Sequence, residues 1–295
     1  MITYRHHIAS LVAVFLALAV GIALGGGPLS ELGRADDTDA TPAAERRADE
    51  AERAAAFGDD FASKSAATLY AGRLRDHPTA LVTLPGVDED DVAALTAQVQ
   101  AAGGSVAGRY DVRGSLLDPS ERTLVDTLGS QLMTQLPEGT IAPEASTYVR
   151  MGRLLAVAAA STEPGGSGVD NDTTAVRESL AAGELLTTVT DDAGRAPLVL
   201  VVLGDEADPD ILAGLLSGLA QGSTGVVVAG DTATGRPGGA LEQLRADPVG
   251  EELATVDGTD TPLGQVTSVL ALARQLDGTG GAFGASGAEG AVPLG

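Results

Sequence analysis

The chain has 295 residues, of which 44% are hydrophobic and 3% aromatic, and its formal net charge is -23. A surface this acidic repels phosphate backbones, so we expect no nucleic-acid partner. The sequence contains no Cys, which excludes disulfides, thiolate metal sites and cysteine nucleophiles. Small aliphatic side chains must fill the core, as in helices packed on a parallel sheet.

The N-terminus has the pattern of a membrane anchor. Residues 8–27 carry no charge, and a helix of about 20 residues at about 1.5 Å per residue spans a bilayer of about 30 Å. Arg5 precedes this segment and acidic residues follow it from Glu31, so residues 1–7 are predicted to be cytoplasmic and the remainder extracytoplasmic. The expected protein is a single-pass protein of the cell membrane. A cleaved signal peptide ending near Ala17-Leu18-Ala19 is the alternative, and it exports the same domain.

Residues 28–77 are predicted to form a linker and a helical stalk. Thr41 and Pro42 have the residue types of a helix cap and a first helical position. Asp49 and Arg53 are four residues apart in the favourable acid-first order. Alanines repeat at 4-3-4 spacing, at positions 44, 48, 51 and 55. This seam is compatible with a coiled coil that makes a homo-oligomer, and equally with an isolated solvated helix.

Residues 78–276 are predicted to form an α/β domain. Short apolar runs predict strands at 80–84, 105–112, 197–203 and 225–229. Helix signals fill the intervals, at 88–102, 119–136, 144–160, 173–182, 209–220 and 261–275. Strands separated by helices favour parallel pairing with right-handed crossovers, so we predict a doubly wound, Rossmann-like sheet. The Gly-rich residues 277–295 are predicted to be a disordered tail.

Acidic residues follow several of these strands. In open parallel sheets ligands bind beyond the carboxyl ends of the strands, where Asp205 and Asp231 are expected. Asp257 and Asp260 could join them, and such carboxylates suit a hard cation such as Ca²⁺ or Mg²⁺. Asp and Gly are also ordinary turn residues, which explains the same pattern without a metal. These four aspartates are therefore weak metal candidates.

Other chemical motifs are incomplete. Residues 230–235 have phosphate-loop spacing, but Arg236 and Pro237 replace the required Lys and Ser/Thr. Beyond the membrane edge the only histidine is His77, so no Ser-His-Asp set is suggested. We predict no catalytic or cofactor-binding residues and a protein that is not an enzyme.

Two segments resemble a known family. Residues 10–21 read SLVAVFLALAVG, and residues 255–265 read TVDGTDTPLGQ. Both are similar to landmarks of the actinobacterial copper transport protein B family, MctB, and the order of anchor, stalk and α/β domain also fits. The resemblance implies copper homeostasis, through membrane transport that limits intracellular copper. Copper is implied by this resemblance alone.

Proteins resembling this family are also connected with cell-envelope integrity and cell separation, as partners of another membrane protein. The sequence thus leaves two main hypotheses, a copper-transport membrane protein and a non-enzymatic envelope scaffold, with a metal-dependent enzyme a distant third. Soft Cu(I) prefers thiolate or thioether ligands, and the chain offers Met1, Met133 and Met151.

Overall fold

A computed structural model of the chain describes residues 42–204 and 207–294. The predicted cytoplasmic residues 1–7 and the predicted anchor at residues 8–27 lie outside the described residues. Within the described ranges, no helix is both long enough and apolar enough to cross a membrane. The described residues divide between Ala56 and Phe57 into two units.

Helix α1, Pro42–Leu69, begins at the proline that the sequence indicates. In the first unit the alanines at positions 44, 48, 51 and 55 are exposed, and the predicted pair forms between Arg53 and Asp49 with an N–O distance of 3.8 Å. An exposed ion pair of this kind contributes little to the stability of the helix, so the helix depends on packing in another part of its length. The coiled coil along the alanine seam stays a prediction. In the second unit Ala62 and Ala66 of the same helix are buried.

The second unit is built on one sheet. Its strands are β1 (Thr79–Thr83), β2 (Val106–Val112), β3 (Leu186–Thr188), β4 (Leu198–Val202), β5 (Gly225–Gly230), β6 (Ala254–Asp257) and β7 (Gly281–Phe283). The spatial order is β3-β2-β1-β4-β5-β6-β7. All neighbours are parallel except β2 and β3, which are antiparallel. The predicted α/β fold with a mostly parallel sheet is confirmed and fits a Rossmann-like domain, with an antiparallel edge strand that the sequence did not indicate.

Helices cover both faces of the sheet. They are α2 (Glu89–Ala101), α3 (Gly114–Leu117), α4 (Arg122–Met133), α5 (Thr147–Ala159), α6 (Asn171–Ala182), α7 (Pro209–Ala220), α8 (Ala240–Ala246), α9 (Pro248–Glu252) and α10 (Pro262–Gln275). Leu198, Leu200 and Val202 point to the core formed with α2 and α10, and Val199 and Val201 to the core formed with α4–α7. Burial on both faces explains why the central strands are continuous apolar runs.

Glycines allow α5 and α7 to pack backbone to backbone. A Cβ added at Gly152 would lie 2.1 Å from the carbonyl oxygen of Leu215, and one at Gly218 would lie 2.1 Å from that of Val149. Neither position has room for a side chain. This close contact fixes α5 beside the end of α7, and it therefore positions Arg153, the residue after Gly152.

The C-terminal segment corrects the expectation of a disordered tail. Residues 281–283 form β7, which pairs in parallel with β6. Phe283 is buried in the core shared with α10, and the guanidinium of Arg274 lies 5.6 Å from its ring centroid. The composition of this segment is Gly-rich, but the burial of Phe283 and the pairing with the edge of β6 help to order it.

Candidate functional site at the carboxyl edge of the sheet

The strand order reverses direction between β1 and β4, where doubly wound sheets bind their ligands. Gly204 follows β4 at this point. A Cβ there would lie 2.2 Å from the carbonyl oxygen of Pro85 and 2.4 Å from the amide nitrogen of Val87. The loop after β1 thus lies directly against the end of β4.

A cavity of about 270 Å³ lies beside this contact, at the ends of β1 and β2. Arg109 donates to both carboxylate oxygens of Glu89 at 2.6 Å and to Asp111 at 2.7 Å. Thr83 Oγ1 donates to the same Asp111 oxygen at 2.6 Å. The hydrogen bond from Arg109 holds the pKa of Glu89 below its ordinary value. Arg109 thus bonds both carboxylates, and the cluster closes the end of the sheet rather than presenting free ligands.

The turns after β5 and β6 carry two of the candidate aspartates. Asp231 Oδ1 accepts a hydrogen bond from the Thr234 amide at 2.9 Å. Asp260 Oδ1 accepts from both the amide and the hydroxyl of Thr232 at 2.8 Å. Both carboxylates therefore serve as turn acceptors, the role that Asp commonly takes in such loops.

This edge of the domain is also electrostatically negative. Burial raises the pKa of Asp91, and the negative charges of Asp88, Asp260, Asp231 and Asp90 raise it further. These aspartates come from three separate segments of the chain. Because all of them act on the Asp91 carboxyl group, they contribute to one negative electrostatic potential. Such a field attracts cations without binding any one of them specifically.

Asp257 has a structural role. Its side chain is 1% exposed and lies 2.9 Å from Nη2 of Arg245. It also accepts hydrogen bonds from the amide of Ser286 at 3.1 Å and from its hydroxyl at 2.9 Å. Arg245 in turn donates to the carbonyl oxygen of Phe283 at 2.7 Å. The pair ties the C-terminal segment to the sheet, and its oxygens are already used.

The four metal candidates are thus not assembled into one centre in the described structure. Asp205 lies outside the described residues, while Asp231, Asp257 and Asp260 have the partners given above. Across residues 42–204 and 207–294, no three or more His, Asp or Glu side chains are grouped to hold a metal ion. A hard-cation site that includes Asp205 stays a prediction.

The histidine and the methionines that could bind copper lie away from the carboxyl edge of the sheet. His77 Nδ1 lies 3.2 Å from the carbonyl oxygen of Pro164, in a loop at the opposite edge of the sheet. Met151 is fully buried, and a Cβ at Gly129 would lie 2.9 Å from its sulfur. Met133 packs against the same core. The thioether sulfurs of Met133 and Met151, which Cu(I) prefers as ligands, therefore belong to side chains that pack in the core.

Sequence reasoning missed the residues around a further cavity. This space, of about 650 Å³, lies at the amino edge of the sheet and includes Arg195 in its wall. An adjoining cavity of about 310 Å³ includes Arg153. No motif marks these arginines, because α5 and the segment before β4 come together only in the folded domain.

Comparison with known proteins identifies similar chains. The protein-family model described as "Copper transport outer membrane protein, MctB" matches residues 1–294. The copper transporter MctB of Mycobacterium tuberculosis strain H37Rv is 29% identical over 309 residues, which cover 94% of each chain, and that of Mycobacterium bovis has the same values. The copper transporter MctB of Mycobacterium leprae is 28% identical over 311 residues, again covering 94% of each chain.

Proposed function

The chain belongs to the MctB family of copper transport outer membrane proteins, and we propose that it serves copper transport across the cell envelope and keeps intracellular copper low. The observation that carries this proposal is the extent of the match, which includes the N-terminal segment as well as the α/β domain. Relatives that are named copper transporters match over the same extent.

The proposed arrangement is a single-pass membrane protein. Residues 8–27 form the anchor, residues 1–7 lie in the cytoplasm, and the α/β domain lies outside the cell membrane. The charge asymmetry around the anchor supports this orientation. Because one apolar helix cannot line a pore, a transport path requires several copies of the anchor in one assembly.

The domain acts on copper without enzymatic chemistry. The chain has no Cys, and Met151 is buried, so a stable Cu(I) site built from sulfur is not expected inside the folded domain. The net charge of -23 and the acidic carboxyl edge instead raise the local concentration of cations near the membrane surface. Copper is then a transported substrate that the domain attracts weakly and releases.

The test is the copper content of cells that lack the gene. Deletion should raise cellular copper and copper sensitivity, and expression of the full chain should restore both. A second complementing chain, with residues 1–27 replaced by a cleavable export signal, should fail because it lacks the anchor. Unchanged copper content after deletion would contradict the proposal.

One observation favours a second candidate, an envelope interaction protein. Phe57 and Phe61, one turn apart on α1, are 74% and 61% exposed. The amide of Leu263 donates to Asp59 at 3.3 Å, which fixes the start of α10 against this helix. Aromatic side chains exposed together on one helix face indicate a contact with another protein.

The two candidates predict different phenotypes for the double variant Phe57→Ser/Phe61→Ser. Chained cells with normal copper content would favour the interaction protein. Raised copper with normal cell separation would favour copper transport.

A further inference from the structure

Two adjoining cavities occupy the amino edge of the sheet, opposite the end at which this fold usually binds ligands. Their volumes are about 650 Å³ and 310 Å³, and both include Ser167 and Arg195 in their walls. The larger one is bounded by the loop that contains His77, and the smaller one by Arg153 and Gly222. The shared wall makes them two parts of one groove.

Arg153 lines the smaller cavity, and one of its donors has no partner within the described residues. Its Nε and Nη2 donate to the carbonyl oxygen of Thr140 at 3.3 and 2.7 Å. Nη1 is buried and has no hydrogen-bond partner among the residues that the structure describes. It lies 3.0 Å from the position that a Cβ on Gly222 would take. A buried, unsatisfied guanidinium donor is costly unless a ligand or water pairs with it.

The charge of Arg153 also has no close counterion in the described part of the chain. The ion pairs found there involve other arginines and Lys64. Burial lowers the pKa of Arg153, since desolvation disfavours the charged form. An anion in the cavity would compensate both the charge and the open donor.

The shared wall supplies two further groups. Ser167 and Arg195 are held together by reciprocal backbone hydrogen bonds of 3.0 Å. The Oγ of Ser167 is buried and without a partner within the described residues. Arg195 donates through Nη2 to Asp170 at 3.1 Å and through Nε to the carbonyl oxygen of Gly168 at 3.4 Å. These bonds fix the orientation of Arg195, and its guanidinium lies in the wall that both cavities share.

Acidic residues at the groove are few and outlying. Glu163 and Asp76 line it but are exposed to solvent, where water screens their charge. Arg177 adds positive charge behind the wall, because its guanidinium bonds the carbonyl oxygens of Ala158 and Ala193. Arg153, Arg177 and Arg195 thus bring positive charge to the amino edge of a chain whose net charge is -23.

We propose that this groove binds a phosphate group, with Arg153 Nη1, Arg195 and Ser167 Oγ as the recognising groups. Guanidinium and hydroxyl donors contributed by separate elements suit a tetrahedral oxyanion, and guanidinium groups match phosphate geometry. The smaller cavity takes the phosphate, and the larger one takes the remainder of a phosphorylated small molecule or lipid headgroup. This site is independent of the proposed copper transport.

The test is calorimetric titration of the full chain in detergent micelles with inorganic phosphate at constant ionic strength. We expect saturable one-to-one binding. Ser167→Ala should weaken it about fivefold, the value of one hydrogen bond of about 1 kcal/mol. Arg153→Gln should weaken it about tenfold or more, because a charge-assisted bond is lost. Arg236→Gln, which removes an exposed charge at the opposite edge, should leave affinity unchanged.

Absence of saturable binding below about 10 mM phosphate would overturn the proposal. Equal weakening by Arg236→Gln would also overturn it, since the binding would then reflect net charge. If acetate binds as tightly as phosphate, the site is a general carboxylate site, and the proposal of a phosphate site is rejected. Ser167→Ala removes a hydroxyl that has no partner in the described structure, so this variant stays informative even if Arg153→Gln does not fold.

Competition distinguishes the two sources of the phosphate group. Displacement by glycerol phosphate alone would indicate a soluble ligand. Displacement by dihexanoyl phosphatidic acid and not by glycerol phosphate would indicate a lipid headgroup. Either result supports the phosphate site.

Discussion

The order of the C-terminal segment should depend on the buried pair between Arg245 and Asp257. Asp257→Ala removes a carboxylate that is 1% exposed and leaves Arg245, at 13% exposure, without its counterion. Breaking a buried pair in this way typically costs about 3–5 kcal/mol of global stability. The change also removes both hydrogen bonds to Ser286.

The local effect can be worked from those contacts. A hydrogen bond to a charged group contributes about 1.5–3 kcal/mol, and the two bonds to Ser286 share one carboxylate, so they are counted once. The free energy for opening residues 281–294 should therefore fall by about 1.5–3 kcal/mol. Amide exchange in this segment should become about tenfold to a hundredfold faster.

Hydrogen exchange of the full chain in detergent micelles, followed by mass spectrometry, measures this effect directly. Asp260→Ala is the matched control, because Asp260 is an exposed aspartate at the same edge and bonds only to Thr232 in the described structure. It should leave exchange in residues 281–294 unchanged. Equal exchange in the Asp257→Ala variant and the unaltered chain would refute the structural role assigned to the pair.

Three further predictions concern packing, pH and capping. Gly152→Ala should destabilise the domain by about 1–3 kcal/mol or more, because its Cβ would lie 2.1 Å from the carbonyl oxygen of Leu215; Gly58→Ala, with open space around it, should stabilise by about 0.5–1 kcal/mol. Burial raises the pKa of Tyr110 to about 12, so stability should fall as pH rises from about 10 to 12, where only the unfolded chain releases this proton, and Tyr110→Phe should lessen that fall. Asp208→Ala should cost about 1 kcal/mol, because the carboxylate caps α7 through two amides, and Asp208→Ser should recover most of it.

Urea unfolding of the variants tests all three. An unaltered unfolding midpoint for Gly152→Ala would contradict the backbone contact between α5 and α7. The same alkaline loss of stability in Tyr110→Phe would assign that loss to other groups. A Ser variant at position 208 as unstable as the Ala variant would show that the cap contributes nothing.

The central architecture was predictable because its signals are local. Residues 197–203 and 225–229 are uniformly apolar, and they contain or closely match β4 (Leu198–Val202) and β5 (Gly225–Gly230). Helix α7 has the predicted bounds, since Asp208 caps it and Pro209 begins it. The edge strands were not predictable in this way. β3 (Leu186–Thr188) and β7 (Gly281–Phe283) have three residues each and are ordered by the neighbours that they pair with.

The roles of individual side chains were less accessible to sequence reasoning. Asp257 was expected beside other aspartates at a metal site, but its partners Arg245 and Ser286 are 12 and 29 residues away along the chain. Arg153 and Arg195 likewise reach one groove from distant segments. Neither Arg153 nor Arg195 belongs to a motif. Their placement follows from the contact of α5 with α7 and from the bridge between Ser167 and Arg195.

Copper flux through vesicles reconstituted with the full chain tests the central claim most directly. The proposed function predicts copper movement that increases with the amount of inserted protein and is lost in a chain without residues 1–27. Vesicles that contain correctly inserted protein but show no protein-dependent copper flux would contradict a transport role.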